Sequence, residues 1–267
     1  MLNINSTKVL SKGEIKSIAP SVFTTTQADH LSAQYTHIPT SRVIDDMALL
    51  GWEVVDAKEV KARKLIGFQK HLLVFRNEDV VINGEDGDVV FPQILVTNSH
   101  DGKNSFQFQA GLFRMICENG LVVSTETFNN LKIRHMNYTF EELQENIRAM
   151  VEQLPLTVES MNKMKNTQLN EEQALEFAKE ALTTRFTSEQ VESFEFNLQE
   201  LLLPTRPEDT GNDLFSIFNT IQEKILDGDF NYMIGTKIRK ARKIKNFKLD
   251  LEINQKLYSI ASNLIEA

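Results

Sequence analysis

The sequence predicts an α+β protein with an N-terminal antiparallel sheet and packing helices, followed by a mostly helical C-terminal region. Up to residue 137, apolar runs rich in β-branched residues alternate with turn residues. From Thr139 onward, apolar residues recur at helical spacing instead. The 267 residues, 41% of them hydrophobic, suffice for one large domain or two modest ones. The change of pattern divides the chain into residues 1–137 and 138–267.

The first half begins with a short amphipathic helix after Pro39. Thr40 or Ser41 is expected to cap this helix, and Gly51 is expected to end it. Three runs then predict successive antiparallel strands: WEVVDAKEVKAR, GFQKHLLVFRN and VVFPQILVTNSH. The pattern next becomes helix-like in AGLFRMIC, after which LVVSTETFNNLKIRHM is predicted as strand again.

Helices dominate the second half. Thr139 and Glu142 form a capping box at the start of the first one. Further helices are predicted at residues 171–185, 188–203, 213–226 and 248–265, with Asn212 as the cap of the helix that starts at 213. The stretch LLLPTRPEDTGND, with two prolines and a glycine, is predicted to be a loop between helices.

The charge balance argues against a uniformly basic nucleic-acid-binding surface but allows a local one. The chain has 29 lysines and arginines against 37 aspartates and glutamates, a net charge of -8. A basic segment, KIRKARKIKNFK from Lys237 to Lys248, contains no acidic residue, and KEVKARKLIGFQKH is a second basic stretch. Such clusters are expected where a protein binds a phosphate backbone, but also on a solvated helix face or in contact with an acidic part of the same protein. The candidate nucleic-acid-binding residues are Lys58, Lys61, Arg63, Lys64, Lys70, Lys237, Arg239, Lys240, Arg242, Lys243 and Lys245.

A polar motif, NSHDG, follows the apolar run FPQILV and consists of Asn98, Ser99, His100, Asp101 and Gly102. Serine, histidine and aspartate side by side suggest catalysis, but adjacent side chains diverge, whereas a triad gathers its members from distant positions. Asp101 and Gly102 favour a turn, because glycine supplies positive φ. We therefore predict a polar turn at whose tip replacement of His100 is tolerated. A ligand or nucleic-acid contact from the same tip is the alternative.

The remaining motifs define no catalytic, metal or nucleotide site. Cys117 would form a nucleophile pair with His135 or His100 if the fold joined them, but its place in LFRMIC favours a buried thiol. The five histidines show no metal-ligand spacing, and neither phosphate-binding glycine motif occurs. We therefore predict a non-enzymatic protein without cofactor or metal. One cysteine, no apolar run of roughly 18 to 20 residues and no signal-peptide core predict a cytoplasmic protein.

Several runs resemble known families. GFQKHLLVF, ILVTNSHDGKNSFQFQAGLFRMICENGLVV and NDLFSIFNTIQEKI are similar to the phage- and plasmid-borne family catalogued as domain of unknown function nine hundred and thirty-two. This resemblance covers most of the chain and implies a mobile-element setting. YTHIPTSRVIDDMALLGWEVV followed by strands is similar to the start of single-strand annealing proteins of the Rad-fifty-two type. That resemblance implies a groove for single-stranded DNA, in which the basic residues between Lys58 and Lys70 would contact the backbone.

The leading interpretation is a non-enzymatic phage or plasmid protein that binds, or also anneals, single-stranded DNA in replication or recombination. The alternative is a phage interaction or structural protein, including one that inhibits a host system, for which an acidic surface is equally suitable. The expected partners are single-stranded DNA and further copies of the chain, with no membrane. The acidic balance, one tryptophan and four tyrosines count against a strong DNA binder.

Overall fold

The computed structural model describes residues 8–28, 30–31, 37–61, 66–83, 89–102, 106–114, 121–122, 132–133 and 139–266. The chain is α+β, as predicted, with an antiparallel sheet in the first half and mostly helix in the second. The described residues form two compact units, one up to Pro155 and one from Leu156 onward. The boundary at residue 137 stays a prediction.

An antiparallel sheet forms the centre of the first unit. Its described strands are β1 (Glu53–Glu59), β2 (His71–Arg76), β3 (Ile82–Asn83), β4 (Val89–Asn98), β5 (Phe106–Arg114), β6 (Leu121–Val122) and β7 (Lys132–Ile133). The order is β1-β2-β4-β5-β6, while β3 pairs with β4 and β7 pairs with β5. All six residues of β2 are buried, because β1 and β4 flank it and both of its faces are covered. A strand that is buried on both faces has an unbroken apolar sequence, which is LLVF in β2.

Two helices and a 3₁₀ helix precede the sheet: α1 (Lys12–Ile18), the 3₁₀ helix Pro20–Phe23 and α2 (Thr40–Leu49). The helix predicted after Pro39 is confirmed, and it ends at Leu49, two residues before Gly51, which has φ +81. The predicted caps are wrong. Pro39 is the N-cap residue, and the Thr40 hydroxyl bonds the imidazole of His71 instead of the helix backbone.

The helix-like spacing of AGLFRMIC does not produce a helix in its first five residues. These residues belong to β5, which extends to Arg114. β5 pairs with β4 from Val90↔Arg114 to Thr97↔Gln107, and this long ladder outweighs the local periodicity. Residues 115–117 of the predicted helix lie outside the described residues. Of the run LVVSTETFNNLKIRHM, the described residues lie in β6 and β7.

The second unit is mostly helical, and α3 (Phe140–Asn166) crosses into it from the first. Thr139 caps α3 by accepting a hydrogen bond from the Glu142 N–H at 3.1 Å, which is one of the two bonds of the predicted capping box. The further described helices are α4 (Glu171–Leu182), α5 (Ser188–Ser193), α6 (Leu198–Leu201), the 3₁₀ helix Pro207–Asp209, α7 (Leu214–Asp227) and α8 (Phe247–Glu266). None of the described helices combines the length and apolar character needed to cross a membrane.

A small antiparallel sheet interrupts these helices, with described strands β8 (Glu195–Phe196), β9 (Asn231–Ile234) and β10 (Lys237–Lys240) in the order β10-β9-β8. The single helix predicted at residues 188–203 is therefore wrong. Phe196 pairs with Tyr232 of β9, and the aromatic contacts made there break the helix into α5 and α6. The cap of α7 is Asp213 rather than Asn212, and its carboxylate accepts from the Ser216 N–H at 2.9 Å.

Candidate nucleic-acid interface

The basic segment begins as an exposed β-hairpin. Strands β9 and β10 are joined by the two residues Gly235 and Thr236, and Gly235 has φ +58. All four residues of β10 are exposed, and β10 is the edge strand of its sheet. Lys237, Arg239 and Lys240 therefore project into solvent from a strand rather than from a helix.

Three lysines of the segment are engaged with nearby carboxylates, and one of them is Lys248, whose Nζ lies 3.7 Å from Glu252 Oε1. Lys240 Nζ lies 3.5 Å from Asp229 Oδ1, and Lys243 Nζ lies 3.0 Å from Asp227 Oδ1. Four others make no ion pair within the described part of the chain: Lys237, Arg239, Arg242 and Lys245. The segment thus contacts acidic residues of its own unit and still presents uncompensated positive charge.

Hydrogen bonds fix the backbone that follows β10. The Ala241 N–H donates to the Phe230 carbonyl at 3.0 Å, and the Ile244 N–H donates to the Leu226 carbonyl at 2.7 Å. The Arg185 guanidinium donates to the carbonyls of Ile225 and Arg242. The basic residues therefore stand on a backbone held against the end of α7.

An aromatic group lies beside the hairpin. Tyr232 stacks on Phe194 and Phe196, with ring centroids 5.8 and 5.5 Å apart, and the Phe186 ring meets Tyr232 edge-on at 5.2 Å. These four rings are half-buried, and Arg239 is the cross-strand partner of Tyr232. Sequence reasoning missed this group. The alternation in FEF and the Gly-Thr pair between NYMI and KIRK were the signals that could have located it.

The second basic stretch lies in the other compact unit, at the β1–β2 connection. Lys58 is half-buried in β1, with its ammonium 4.0 Å from Asp56. Lys61 is exposed, and Lys70 is half-buried, with its carbonyl accepting the Val60 N–H at 2.9 Å. The predicted site residues 63 and 64 lie outside the described residues, as do residues 117 and 135 of the candidate nucleophile pair.

The NSHDG motif connects β4 to β5, but the predicted exposed tip is wrong. Asn98, Ser99 and His100 are fully buried, whereas Asp101 is half-buried and Gly102 is exposed with φ +73. The His100 N–H donates to the Phe68 carbonyl, and the His100 carbonyl accepts from the Ala28 N–H. Backbone hydrogen bonds therefore hold the motif to two other segments. Replacement of His100 is therefore no longer expected to be harmless.

The motif is buried because it joins a histidine cluster formed by His37, His71 and His100. The centroid of the His100 ring lies 4.5 Å from that of His37 and 5.3 Å from that of His71. His71 at the start of β2 is the register partner of Asn98 at the end of β4. The sheet thus brings together histidines that are far apart in the sequence.

The hydrogen bonds of His71 define its tautomer. Nδ1 lies 3.1 Å from the Gln69 carbonyl oxygen, which can only accept, so Nδ1 carries the proton and shares it with Ser21 Oγ at 2.8 Å. Nε2 then accepts from the Thr40 hydroxyl at 2.8 Å, and Thr40 Oγ1 accepts from the Asn98 amide at 3.0 Å. The ring is neutral in this arrangement, and both of its nitrogens are satisfied.

Burial disfavours a charged imidazole in this cluster. Loss of hydration lowers the pKa of His71 to about 4, although the bond to the Gln69 carbonyl acts in the opposite direction. Burial also lowers the pKa of His37, whose Nε2–H donates to the Thr24 carbonyl at 3.0 Å. Among the described residues, no group of three or more histidine, cysteine, aspartate or glutamate side chains is arranged to hold a metal ion. The cluster joins the 3₁₀ helix, α2, β2 and β4 through neutral hydrogen bonds.

Comparison with known proteins gives a family. The family described as Domain of unknown function (DUF932) matches residues 28–256. UPF0380 protein YfjQ and UPF0380 protein YafZ, both from Escherichia coli (strain K12), are 27% and 28% identical over 265 residues, which cover 98% of this chain and 94% of each relative. No solved structure matches, and the resemblance to Rad-fifty-two-type proteins stays a prediction. The chain therefore belongs to the family defined by the domain DUF932.

Proposed function

We propose that this protein binds single-stranded DNA through the basic hairpin and the segment that follows it, and that it catalyses no reaction. The exposed edge strand β10 carries the proposal, because its cations project from a fixed backbone into solvent. Lys237, Arg239 and Arg242 make no ion pair within the described residues, so phosphate need not displace a carboxylate from them.

The aromatic group supports a single strand over a duplex. Proteins that hold single strands combine a positively charged track with aromatic rings on which unpaired bases stack. Arg239 and Tyr232 share one rung of the β9–β10 ladder, so a cation and a half-buried ring lie side by side on one face. A duplex offers its phosphates to the same cations but keeps its bases stacked on one another.

The charge of the rest of the chain supports local binding. Outside the basic segment, 22 lysines and arginines face 37 aspartates and glutamates. This excess of negative charge repels phosphate, so a bound strand is directed to the few surfaces where cations predominate.

The histidine cluster supports a non-enzymatic function. Ser21 and Thr40, the hydroxyls nearest to the His71 ring, are fully buried and both bonded to it. An attacking hydroxyl must reach its substrate, and neither of these side chains reaches solvent. The imidazole–hydroxyl pairs are therefore proposed to stabilise the fold.

The test is fluorescence anisotropy with a labelled single-stranded oligonucleotide at several salt concentrations. The variant Lys237→Gln/Arg239→Gln/Arg242→Gln removes three exposed cations from the interface. If each contacts one phosphate, the slope of log K against log salt should become shallower by about 2, because one phosphate on a single strand contributes about 0.7. A duplex of the same sequence should bind more weakly than the single strand.

The matched control is Lys163→Gln/Lys179→Gln/Lys256→Gln, which removes three exposed lysines from helices of the same compact unit. It removes three positive charges, as the first triple variant does, and should leave the salt slope nearly unchanged. Replacement of the exposed Lys61 tests the second basic stretch separately. Absence of binding at low salt contradicts the proposal. An equal decrease of the salt slope in both triple variants contradicts it as well.

A further inference from the structure

A cavity of about 320 Å³ adjoins the hairpin. Its lining includes Glu195, Asn231, Met233 and Ile238, together with Phe196 and Tyr232 of the aromatic group. Ile238 is 72% exposed, so its side chain is accessible to a ligand in the cavity. The volume lies at the lower end of the range of small-molecule sites and suits one planar ring system.

The lining combines apolar walls with hydrogen-bond acceptors. Met233 and Ile238 are cross-strand partners, and a thioether next to an aliphatic chain packs well against the face of a π-system. Glu195 and Glu200 add two carboxylates that make no ion pair within the described residues. Carboxylates repel phosphate and accept hydrogen bonds from amino groups. The cavity is therefore suited to a base rather than to the backbone of a nucleic acid.

We propose that this cavity receives an unpaired nucleobase that carries an exocyclic amino group, with Met233 and Ile238 against its face and Glu200 accepting from its amino group. This inference rests on the proposed binding of single-stranded DNA. Because β10 is an edge strand and its Ile238 lines the cavity, a chain whose phosphates contact β10 can place a base in the cavity. A paired base cannot enter, since its amino group and both faces are already occupied.

The experiment compares a natural single-stranded oligonucleotide with one of equal length whose sugars carry no bases. Both present the same phosphates to the full-length protein, so the ratio of their affinities isolates the contribution of the bases. The natural strand should bind at least about tenfold more tightly, as expected for contacts between bases and protein. Oligo-dC should also bind several-fold more tightly than oligo-dT, because cytosine has the amino group that thymine lacks.

Two substitutions on the same hairpin provide a matched pair. Ile238→Ser removes an apolar wall of the cavity at a site that is too exposed to support the fold. Ile234→Ser makes the same change at a 41% exposed position that does not line the cavity. Ile238→Ser should lower the ratio of natural to base-free affinity several-fold and leave the salt slope unchanged, whereas Ile234→Ser should preserve the ratio. Glu200→Gln should reduce the preference for oligo-dC.

The outcomes separate this inference from the proposal on which it rests. Equal affinity for natural and base-free strands, with a normal salt slope, overturns the base site and leaves phosphate capture standing. Equal affinity for oligo-dC and oligo-dT, or tighter binding of oligo-dT, overturns the assignment of an amino-bearing base. No binding of any strand overturns both.

Discussion

His71 gives the stability of the protein a defined dependence on pH. Its pKa falls from 6.5 to about 4 on folding, so between these values the unfolded chain binds more protons than the folded one. The contribution of the neutral ring to the free energy of unfolding is complete above pH 6.5 and is lost as the pH falls towards 4. The shift corresponds to a loss on the order of 3 kcal/mol. Urea unfolding at pH 7, 6, 5 and 4.5 measures it.

The variant His71→Gln separates this ring from the carboxylates that also titrate in acid. It should be less stable than the wild type at pH 7, because it loses bonds to Ser21 and Thr40, but its stability should vary less between pH 7 and 4.5. His30→Gln, at an exposed histidine of the same unit, should keep the wild-type dependence. Parallel loss of stability in wild type and His71→Gln would show that His71 does not cause the dependence.

The sequence identified the NSHDG motif but not its burial. Turn chemistry predicted the positive φ of Gly102, which depends on the residue alone and is confirmed. The burial of His100 depends instead on two rings at positions 37 and 71, and these approach it only because β2 pairs with β4 in one register. No local pattern contains that information, so a polar motif between strands looked like a solvent-exposed turn.

Two glycines flank the elements that support the interface and allow a direct comparison. Gly228, just after α7, has φ +70, and a Cβ there would lie 2.5 Å from the Arg242 carbonyl carbon. Gly235, in the hairpin turn, has φ +58, and no atom of the described residues lies within 4 Å of a Cβ built there. Gly235→Ala should cost about 1 kcal/mol through backbone strain alone. Gly228→Ala should cost several kcal/mol more, because backbone must also move.

Urea unfolding of the two glycine variants measures the difference. Gly228→Ala should also weaken DNA binding, since the displaced backbone carries Arg242, whereas Gly235→Ala should bind nearly as the wild type does. Equal destabilisation by both substitutions would mean that the contact between Gly228 and Arg242 is not a constraint on the segment.

Elements whose apolar residues recur at helix or strand spacing were predictable from the sequence. Elements that form only by pairing with another segment were not. Helix α2 and strands β1, β2 and β4 agree with their apolar patterns, as do α4, α7 and α8. The hairpin β9–β10 was missed because its strands have four residues each and face solvent, so no apolar alternation marks them. Strand β8 was missed because it has only two residues and exists only through its pairing with β9.

The second compact unit should fold without the first, provided that the end of α3 is kept. Met161 and Met164 of α3 are buried in this unit, and Tyr258 of α8 donates to Ser160 Oγ at 2.9 Å. A fragment of residues 156–267 should therefore unfold cooperatively, with a mostly helical circular dichroism spectrum. A fragment of residues 167–267 should be less stable by at least about 4 kcal/mol, because two buried methionines are lost. Equal stability of the two fragments would show that α3 does not complete this core.

The bonds that tie the basic segment to α7 couple binding to helix stability by thermodynamic linkage. The last carbonyls of α7 accept from Arg185 and from the Ile244 N–H, so the helix end and the segment cannot open independently. A ligand that binds the closed arrangement and not the opened one raises the free energy of that local opening. A strand of DNA on the hairpin would accordingly protect amide protons at the end of α7, several residues away from any phosphate.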